Sequence, residues 1–335
     1  MVFSRRLGLG ARVRFADVAG HEAVKELLVR AADRERVPHA CLFHGPEGVG
    51  KRTIALAFLS YLVCRDRADG DSCGRCVPCR QVSDGTFVDL AVLQPEKGYV
   101  KIDAVRDAMP RLYYQPLVGP WKCLLIDDAH AMTLEAANAA LKTLEEPPSS
   151  TLFVLVTPTP DVLPRTVLSR CFAVPFGPVA AADTVRLLVG RGVEEEAARA
   201  ATARARGSPG RAIRLLDSPV LAEREDFVKG FLALAGASAE ERMRFADGVA
   251  SSKDDAEDLM DLLESVVQDV LLAAAGAPDA GLRNPDLAEP IREFAGRVGQ
   301  DRAVRLADVL LEWDANRRYS PAIRVAVDRL VLEIP

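Results

Sequence analysis

A seven-residue loop constrains the fold of this chain more than any other feature. Residues 45–51 read Gly-Pro-Glu-Gly-Val-Gly-Lys and match the phosphate-binding pattern G-x-x-x-x-G-K. An apolar run precedes the loop and a helical pattern follows it, which predicts a strand that enters a helix through a glycine turn. Such a turn directs backbone N–H groups at a phosphate; a turn that only packs the helix on the sheet is the alternative. The candidate phosphate-binding residues are Gly45, Gly48, Gly50 and Lys51.

The loop departs from its pattern at the next position. Arg52 stands where the pattern has Ser or Thr, whose hydroxyl ligates the Mg²⁺ ion that bridges the nucleotide phosphates. Thr53 follows, but one residue along a helix turns a side chain by about 100°, so we do not expect it to replace that ligand. The sequence therefore predicts a site that holds a nucleotide weakly and hydrolyses it poorly.

Two acids follow the apolar residues 123–126 and complete the candidate nucleotide site. Asp127 would hold Mg²⁺ through water. Asp128 stands where such sites usually carry the glutamate that polarises the attacking water. Its side chain is shorter by one methylene, and a misplacement of about 1 Å costs on the order of a hundredfold in rate. A strand that ends in solvated acids is the alternative.

Strand-like and helix-like patterns alternate through the first half of the chain, which predicts a parallel sheet covered on both faces. A helix over Leu134–Glu146 is stopped by the two prolines that follow it, and its apolar residues share one face. Another helix is predicted over Lys51–Val63. The predicted strands are Ala40–His44, Phe87–Leu93, Lys122–Asp127, Thr151–Thr157 and Cys171–Phe176.

Four of the seven cysteines are spaced as metal ligands. Cys64, Cys73, Cys76 and Cys79 form C-x8-C-x2-C-x2-C, and four thiolates satisfy a tetrahedral Zn²⁺ with no open position. The metal would be structural; an iron–sulfur cluster and metal-free thiols are the alternatives. The other three, Cys41, Cys123 and Cys171, lie among apolar residues and are predicted to be small core side chains.

The second half of the chain has a different pattern and no convincing strand. Three short helices are predicted over Ala180–Gly190, Glu194–Arg206 and Gly210–Leu216, and longer helices follow from residue 218. The net charge of −5 does not favour a large DNA-binding surface. No apolar run is long enough to span a membrane, and Met1–Arg14 lacks the apolar stretch of a secretory signal, so a cytoplasmic location with reduced or metal-bound cysteines is expected.

Taken together, these features resemble one family. The chain is similar to the bacterial AAA+ clamp-loader subunits of DNA polymerase III over most of residues 15–178, through Phe15–His21, Pro38–Ala40, the phosphate loop, the four-cysteine insert, Leu141–Pro148 (LKTLEEPP) and Leu168–Cys171 (LSRC). The resemblance implies an α/β fold with a RecA-like parallel-sheet domain over residues 1–178, which carries the zinc module at 64–79. A small helical lid (179–217) and an all-α collar that builds a ring (218–335) would follow.

Three positions within this family favour the δ′ type over the γ/τ motor type. Arg52 and Asp128 replace the motor's hydroxyl and glutamate, and Gly210 stands where the lid's sensor arginine would be. Arg211 is adjacent, but neighbouring helical residues point in different directions. The implied protein is a non-motor subunit of a hetero-pentameric ring with γ/τ and δ subunits. Through that complex it would take part in loading the sliding clamp onto primed DNA, with weak ATP or ADP binding and little or no ATPase activity of its own.

The resemblance also implies roles for further residues. Arg170 of the Ser-Arg-Cys triplet would be an arginine finger for a neighbouring motor subunit, or else an ion-pair partner within its own domain. Thr157 matches a sensor position, or it caps the turn before Pro158. Residues 17–21, with Asp17, Val18 and His21, resemble the adenine side of the site, or they form a helix cap.

Two competing hypotheses remain for the whole chain. One is an active γ/τ-like motor ATPase. The other is a DNA-binding zinc module attached to an ATPase fold, for which the mixed charge of residues 65–80 is unfavourable.

Overall fold

The computed structural model describes residues 13–96, 98–217, 224–251, 256–316 and 323–335. The start of the chain, where no secretory signal is predicted, lies outside the described residues up to Arg12, and so does the predicted collar boundary at residue 218. The chain divides into two compact units, Met1–Ala212 and Ile213–Pro335. The helices predicted as a lid belong, up to Ala212, to the first unit.

A five-stranded sheet forms the centre of the first unit, and each pair of neighbouring strands is parallel, as the alternating pattern predicts. In the order β2-β3-β4-β1-β5, strand β4 separates β1 from β3. The phosphate loop follows β1 and the two acids follow β3, so both motifs leave the same edge of the sheet on either side of β4. The strands are β1 Ala40–His44, β2 Leu90–Leu93, β3 Lys122–Ile126, β4 Thr151–Thr157 and β5 Phe172–Pro175.

Helices cover both faces of this sheet because its side chains alternate between them. Phe43 and Leu125 point into a core shared with α2, whereas Leu42 and Leu124 point into a second core shared with α4 and α5. The helices of the first unit are α1 Glu22–Asp33, α2 Lys51–Val63, α3 Val77–Ser83, α4 Ile102–Leu112, α5 Leu134–Glu145, α6 Arg165–Leu168, α7 Ala181–Gly190 and α8 Glu195–Arg204. A ninth helix, α9 Pro209–Asp217, begins in this unit and continues past its end at Ala212.

Strand β2 begins three residues later than the pattern predicts. Phe87 is buried in the core, and its carbonyl accepts the N–H of Leu90 in a turn. Asp89, just before the strand, accepts the N–H of Cys123 with its backbone carbonyl at 2.8 Å, and its carboxylate accepts N–H groups of the loop at residues 117–119. The run of apolar residues is therefore part turn and part strand, and only Leu90–Leu93 pairs with β3.

Helix α5 begins and ends close to its predicted bounds. The side chain of Thr133 caps it by accepting the N–H of Ala136 at 3.2 Å, and the helix ends before Pro147. Leu134, although on the apolar face by spacing, is 63% exposed. The buried face is centred instead on small residues, chiefly Ala137 and Ala140, which let the helix approach α4 and the sheet closely.

The second unit consists of helices packed around an apolar core that includes Phe231 and Phe294, whose ring centroids are 5.6 Å apart. No strand occurs among the described residues after Pro175, in agreement with the sequence pattern. No described helix is both long and apolar enough to cross a membrane. The helices are α10 Arg224–Leu232, α11 Ala239–Ser251, α12 Ala256–Ala274, α13 Ala288–Val298, α14 Gln300–Asn316 and α15 Ile323–Glu333.

Candidate functional site

The phosphate loop lies between β1 and α2, where the sequence predicts it. Gly45 leaves the strand with φ 137°, and a Cβ at this position would lie 2.1 Å from the carbonyl oxygen of Phe176. Only glycine fits such a close backbone approach. Phe176 directly follows β5, the strand that pairs with β1, and its backbone therefore restricts the first bend of the loop.

Lys51 begins α2 but does not point into open space. Its side chain is buried, and its Nζ donates to the carbonyl oxygens of Gly45 at 2.7 Å and Pro46 at 2.6 Å. Burial lowers the pKa of Lys51, and the nearby carboxylates of Glu47 and Asp128 oppose that shift. The ammonium that would meet a terminal phosphate thus bonds to the loop itself.

Arg52 forms an ion pair across the site that the sequence did not predict. Its Nη1 lies 2.8 Å from Oδ2 of Asp127, and the Asp127 side chain is 14% exposed. The carboxamide of Gln94 lies beside the guanidinium; with its oxygen oriented toward Arg52, it accepts from both terminal nitrogens. Thr53 is half-buried one position further along α2. The carboxylate predicted to hold Mg²⁺ is therefore bonded to an arginine.

Asp128 adopts a left-handed backbone conformation directly after Asp127, with φ 49° and ψ 51°. Burial, followed by the charges of Asp127 and Glu47, raises the pKa of Asp128 to about 6. The charges of Lys51 and Arg52 oppose this rise without cancelling it. Burial is thus the largest cause of the raised pKa, and the two neighbouring carboxylates add to it.

Thr157 ends β4 between the two motifs, opposite His44 of β1. It is fully buried, and its hydroxyl accepts the N–H of Thr159 at 3.1 Å. This bond is the turn cap that the sequence left open as the alternative to a sensor role. The hydroxyl lies at the right edge of the sheet for either role.

The first turn of α9 lies directly on the phosphate loop. The N–H of Gly210 donates to the carbonyl oxygen of Gly48 at 2.8 Å, and a Cβ at Gly210 would lie 2.9 Å from that oxygen. A Cβ at Gly48 would in turn lie 2.3 Å from Oγ of Ser208. Arg211 is half-buried, and its backbone N–H donates to the Ser208 hydroxyl. Glycine at both contact positions lets the two backbones touch.

The residues predicted on the adenine side pack against the loop from the other direction. His21 Nε2 lies 2.9 Å from the carbonyl oxygen of Val49, and its ring meets Phe176 edge-on at 5.0 Å between centroids. Burial lowers the pKa of His21. Asp17 caps no helix; its carboxylate pairs with Arg14 at 3.0 Å. Val18 is buried beside them.

Arg170 lies at the surface, just after α6. Its Nη2 bonds to Oε1 of Glu145 at 2.6 Å, and its Nη1 bonds to the carbonyl oxygen of Thr166 at 2.8 Å. A third of the Arg170 side chain and half of the Glu145 side chain are exposed. The ion pair within the domain is therefore present, and it is accessible from outside.

The four spaced cysteines converge at the end of α2 and the start of α3. The sulfurs of Cys64, Cys73, Cys76 and Cys79 all lie within 4.8 Å of one another. A tetrahedral Zn²⁺ with Zn–S bonds of about 2.3 Å places its sulfurs about 3.8 Å apart, so the cluster fits such an ion. Backbone N–H groups of residues 66 and 73 point at the Cys64 sulfur at 3.4 and 3.3 Å, as expected around a thiolate. The cluster can hold a metal ion.

The arginines of this module are partly engaged within it. Arg75 pairs with Asp66 at 2.6 Å, and Arg67 lies over the ring of Tyr61 at 4.8 Å from its centroid. Acids and bases alternate on the exposed surface, which is not the uniform positive surface expected for a DNA-binding zinc module.

The other three cysteines are packed in the sheet region. Cys41 and Cys123 are buried on the strands, and Cys171 is half-buried before β5. Burial raises the pKa of Cys41 to about 12 and that of Cys171 to about 11. They behave as core residues, as predicted from their apolar surroundings.

Comparison with known proteins agrees with these motifs. The sequence model of the family described as DNA polymerase III, delta subunit, matches residues 20–180. The tau/gamma subunit of Haemophilus influenzae DNA polymerase III is 40% identical over 157 residues, which cover 47% of this chain and 23% of that protein. The delta' subunit of Pseudomonas aeruginosa is 35% identical over 202 residues, covering 59% of this chain and 61% of that protein.

A solved structure, a gamma-subunit-related protein of DNA polymerase III from Thermotoga maritima, covers 92% of this chain and 97% of its own at 16% identity, with a TM-score of 0.46. This chain spans about a quarter of the length of the tau/gamma relative from Haemophilus influenzae. Residues 20–180 therefore match the DNA polymerase III delta-subunit family model, and the chain is similar in sequence to tau, gamma and delta' subunits of that polymerase.

Proposed function

We propose that this chain is a non-motor subunit of a DNA polymerase III clamp loader, of the δ′ type, acting in the cytoplasm. It would brace an AAA+ ring with γ/τ and δ subunits and take part in loading the sliding clamp onto primed DNA. The observation that carries the proposal is the ion pair between Arg52 and Asp127 at the candidate Mg²⁺ position.

The residues at the candidate Mg²⁺ position oppose metal binding in two ways. A motor site needs a hydroxyl on the helix and a free carboxylate on the strand for its Mg²⁺. Here the hydroxyl is absent, and the carboxylate of Asp127 is neutralised at 2.8 Å by Arg52. A divalent cation would have to displace the guanidinium from a partly buried position before it could coordinate.

Two further contacts close the same site. Lys51 donates to two carbonyl oxygens of its own loop, so a phosphate would have to replace these bonds. Gly210, where a sensor arginine is expected in a motor, bonds through its backbone to Gly48 of the loop. We infer that the chain keeps the architecture of a nucleotide-binding subunit with a site closed by its own residues.

Arg170 is the candidate contribution to a neighbouring subunit. A half-exposed ion pair such as Arg170–Glu145 is worth about 0–1 kcal/mol, so turning the guanidinium toward a partner costs little. An arginine aimed at a γ-phosphate accelerates hydrolysis by roughly 10³–10⁵ in related enzymes. Its forked donors bind two phosphate oxygens at once, which a lysine cannot reproduce.

The cysteine cluster is proposed to hold a structural Zn²⁺. Its sulfurs are close enough to share one ion, and none of the four positions is left for a substrate. Metal analysis of the purified chain should give one zinc per chain, and Cys79→Ser should abolish it. Iron in place of zinc would contradict this assignment.

Nucleotide turnover by the isolated protein tests the non-motor assignment. We expect no Mg²⁺-dependent ATPase activity and no Mg²⁺-dependent gain in ATP affinity in the native chain. Arg52→Ser frees Asp127 and restores the hydroxyl, so it should gain Mg²⁺-dependent affinity for ATP. ATP hydrolysis by the native chain at the rate of γ/τ motors, abolished by Lys51→Ala, would refute the proposal.

A reconstituted clamp loader tests Arg170. Arg170→Ala should lower the ATPase activity of the assembly with γ/τ and δ subunits while the subunits still co-elute. Arg165→Ala changes an exposed arginine at the start of α6, five residues before Arg170, and serves as the matched control. Normal ATPase activity in the Arg170→Ala assembly would exclude the arginine-finger role.

The second candidate function is an active γ/τ-like motor. It is favoured by the 40% identity to a tau/gamma subunit and by the retained Gly50 and Lys51. The ATPase measurement on the native chain separates the two candidates, because a motor hydrolyses ATP through its own Lys51 and a δ′-type subunit does not.

A further inference from the structure

The cysteine module touches more than its own sulfurs. Residues 13–18, called here the amino-terminal strap, run past the module and end at the phosphate loop. Val13 and Phe15 of the strap are buried at 1% and 4% exposure in the core around α2. The strap thus connects the metal end of α2 with its phosphate end.

Asp71 bonds the module to the strap. Its Oδ1 accepts the N–H of Phe15 at 3.0 Å, and its Oδ2 accepts the N–H of Ala16 at 2.9 Å. Oδ1 also accepts the N–H of Ser72 at 2.7 Å, which fixes the carboxylate on its own backbone. One carboxylate therefore satisfies two consecutive backbone donors of a segment more than fifty residues away. A second tie is the N–H of Val13, which donates to Oγ of Ser83 at 3.1 Å.

Asp71 lies in a turn between two of the four cysteines, Cys64 and Cys73. Asp71 pairs with Ala68 in a tight turn whose central residues, Asp69 and Gly70, both have positive φ. Two residues later, the N–H of Cys73 points at the Cys64 sulfur at 3.3 Å. The turn has little apolar surface of its own, so ligand bonds on either side are what would hold it in place.

The far end of the strap lies against the phosphate loop. Val18 packs at Gly50, where a Cβ would lie 3.2 Å from Cγ1 of Val18. The carbonyl oxygen of Val18 accepts Nζ of Lys25 at 2.7 Å. Displacing the strap would therefore open the edge of the loop next to the start of α2.

We propose that Asp71 is a latch through which metal binding at the four cysteines holds the amino-terminal strap against the nucleotide-binding fold. Asp71 is a positioning residue: it is not one of the four grouped cysteines, and it bonds to backbone N–H groups of the strap. A metal that orders the module would thereby also hold residues 13–18 in place. The latch rests on the proposed Zn²⁺ site for its metal dependence, whereas the bonds from Asp71 to the strap do not.

Hydrogen–deuterium exchange of the full chain, read on peptides that span residues 13–19, tests the latch. Loss of a hydrogen bond to a charged group should raise amide exchange about tenfold or more. We expect this rise in zinc-loaded Asp71→Asn and in the chelator-treated native chain. Peptides from α5 should stay protected, and Asp84→Asn, which changes an exposed aspartate just after α3, should exchange like the native chain.

The two perturbations should not add if the metal acts through Asp71. Chelation of Asp71→Asn should give no further rise in exchange at Phe15 and Ala16, the two amides that Asp71 accepts. Independent, multiplying effects would overturn the proposal, and so would unchanged exchange in Asp71→Asn. Metal analysis distinguishes failure of the proposed Zn²⁺ site from failure of the latch. If the native chain binds no zinc, the metal dependence is excluded. The comparison of exchange in Asp71→Asn and in the native chain still tests whether Asp71 holds the strap.

If Asp71→Asn does not fold, the native chain with and without chelator still decides the metal dependence. Ser83→Ala then supplies a milder change, since it removes only the bond to Val13. It should raise exchange at the start of the strap, and chelation should still raise exchange at Phe15 and Ala16. Protection of those two amides after chelation would refute the latch.

Discussion

Replacing Asp128 by asparagine should stabilise this protein at neutral pH. Asp128 is half-buried beside Asp127 and Glu47, which together with burial raise its pKa from an ordinary 3.8 to about 6. A change of that size corresponds to about 3 kcal/mol against the ionised form. Because the side chain is partly exposed, solvent screening reduces the expected gain to roughly 1–2 kcal/mol.

The pH dependence follows from the direction of the shift. The folded protein binds the Asp128 proton more tightly than the unfolded chain does, so the contribution of this group to stability falls as pH rises from about 4 to about 6. Asparagine cannot ionise, and it tolerates the left-handed backbone at φ 49°. The variant and the native chain should therefore be equally stable near pH 4, and the variant should be the more stable above pH 6.

Urea unfolding of both proteins at pH 4.5, 6.0 and 7.5 measures this difference, and terms from other groups cancel in the comparison. Asp107→Asn, an exposed aspartate on α4, is the control and should show no such trend. A free-energy difference for Asp128→Asn that is the same at all three pH values would refute the interpretation. Added Mg²⁺ sharpens the test, because a cation that erased the difference would have entered the site despite Arg52.

Three further outcomes follow from the same structure. Gly210→Ala would place a Cβ 2.9 Å from the Gly48 carbonyl oxygen and should destabilise the first unit by about 1–3 kcal/mol, whereas Gly190→Ala, which meets open space, should not; urea unfolding compares them. Asp89→Asn should cost about 3 kcal/mol at pH 7, since it leaves the buried Lys122 and three backbone N–H groups without their anion. Although burial opposes it, those donors lower the pKa of Asp89, so the stability it gives is lost as pH falls below about 4, where the gap between variant and native chain should close. Chelation of bound zinc should lower the melting temperature, and restored zinc should recover it; equal melting curves with and without metal would contradict a structural role.

The sheet and its phosphate loop could be predicted from sequence because their signals are local. A short apolar run bounded by turn residues is enough to place a buried strand, and β1 and β4 have their predicted bounds. The start of β2 could not be predicted in the same way. Phe87 is as apolar as a strand residue, and only its burial under the helices, together with the bonds made by Asp89, shows that the chain turns there.

The contacts that close the candidate site could not be predicted from local sequence pattern. The sequence shows that a hydroxyl is missing at Arg52, but its partner Asp127 is 75 residues away and follows a different strand. Their meeting depends on the strand order, in which β4 separates the two motifs by one strand. Likewise, the sequence shows at Gly210 only that the sensor arginine is absent. The packing of α9 on the phosphate loop shows why glycine fits there, because a Cβ would lie 2.9 Å from the Gly48 carbonyl oxygen.

The replacement at Arg52 is best understood as an exchange of one cation for another. Acids at the end of β3 repel one another, and in a motor a divalent ion would neutralise them. Here a guanidinium anchored on α2 takes that position permanently and bonds Asp127 at 2.8 Å. It supplies one positive charge where Mg²⁺ supplies two, and it lowers the pKa of Asp128 too little to offset burial and the charges of Asp127 and Glu47. A cation fixed on α2 would make the charge balance at Asp127 independent of nucleotide, as the proposed non-motor role requires.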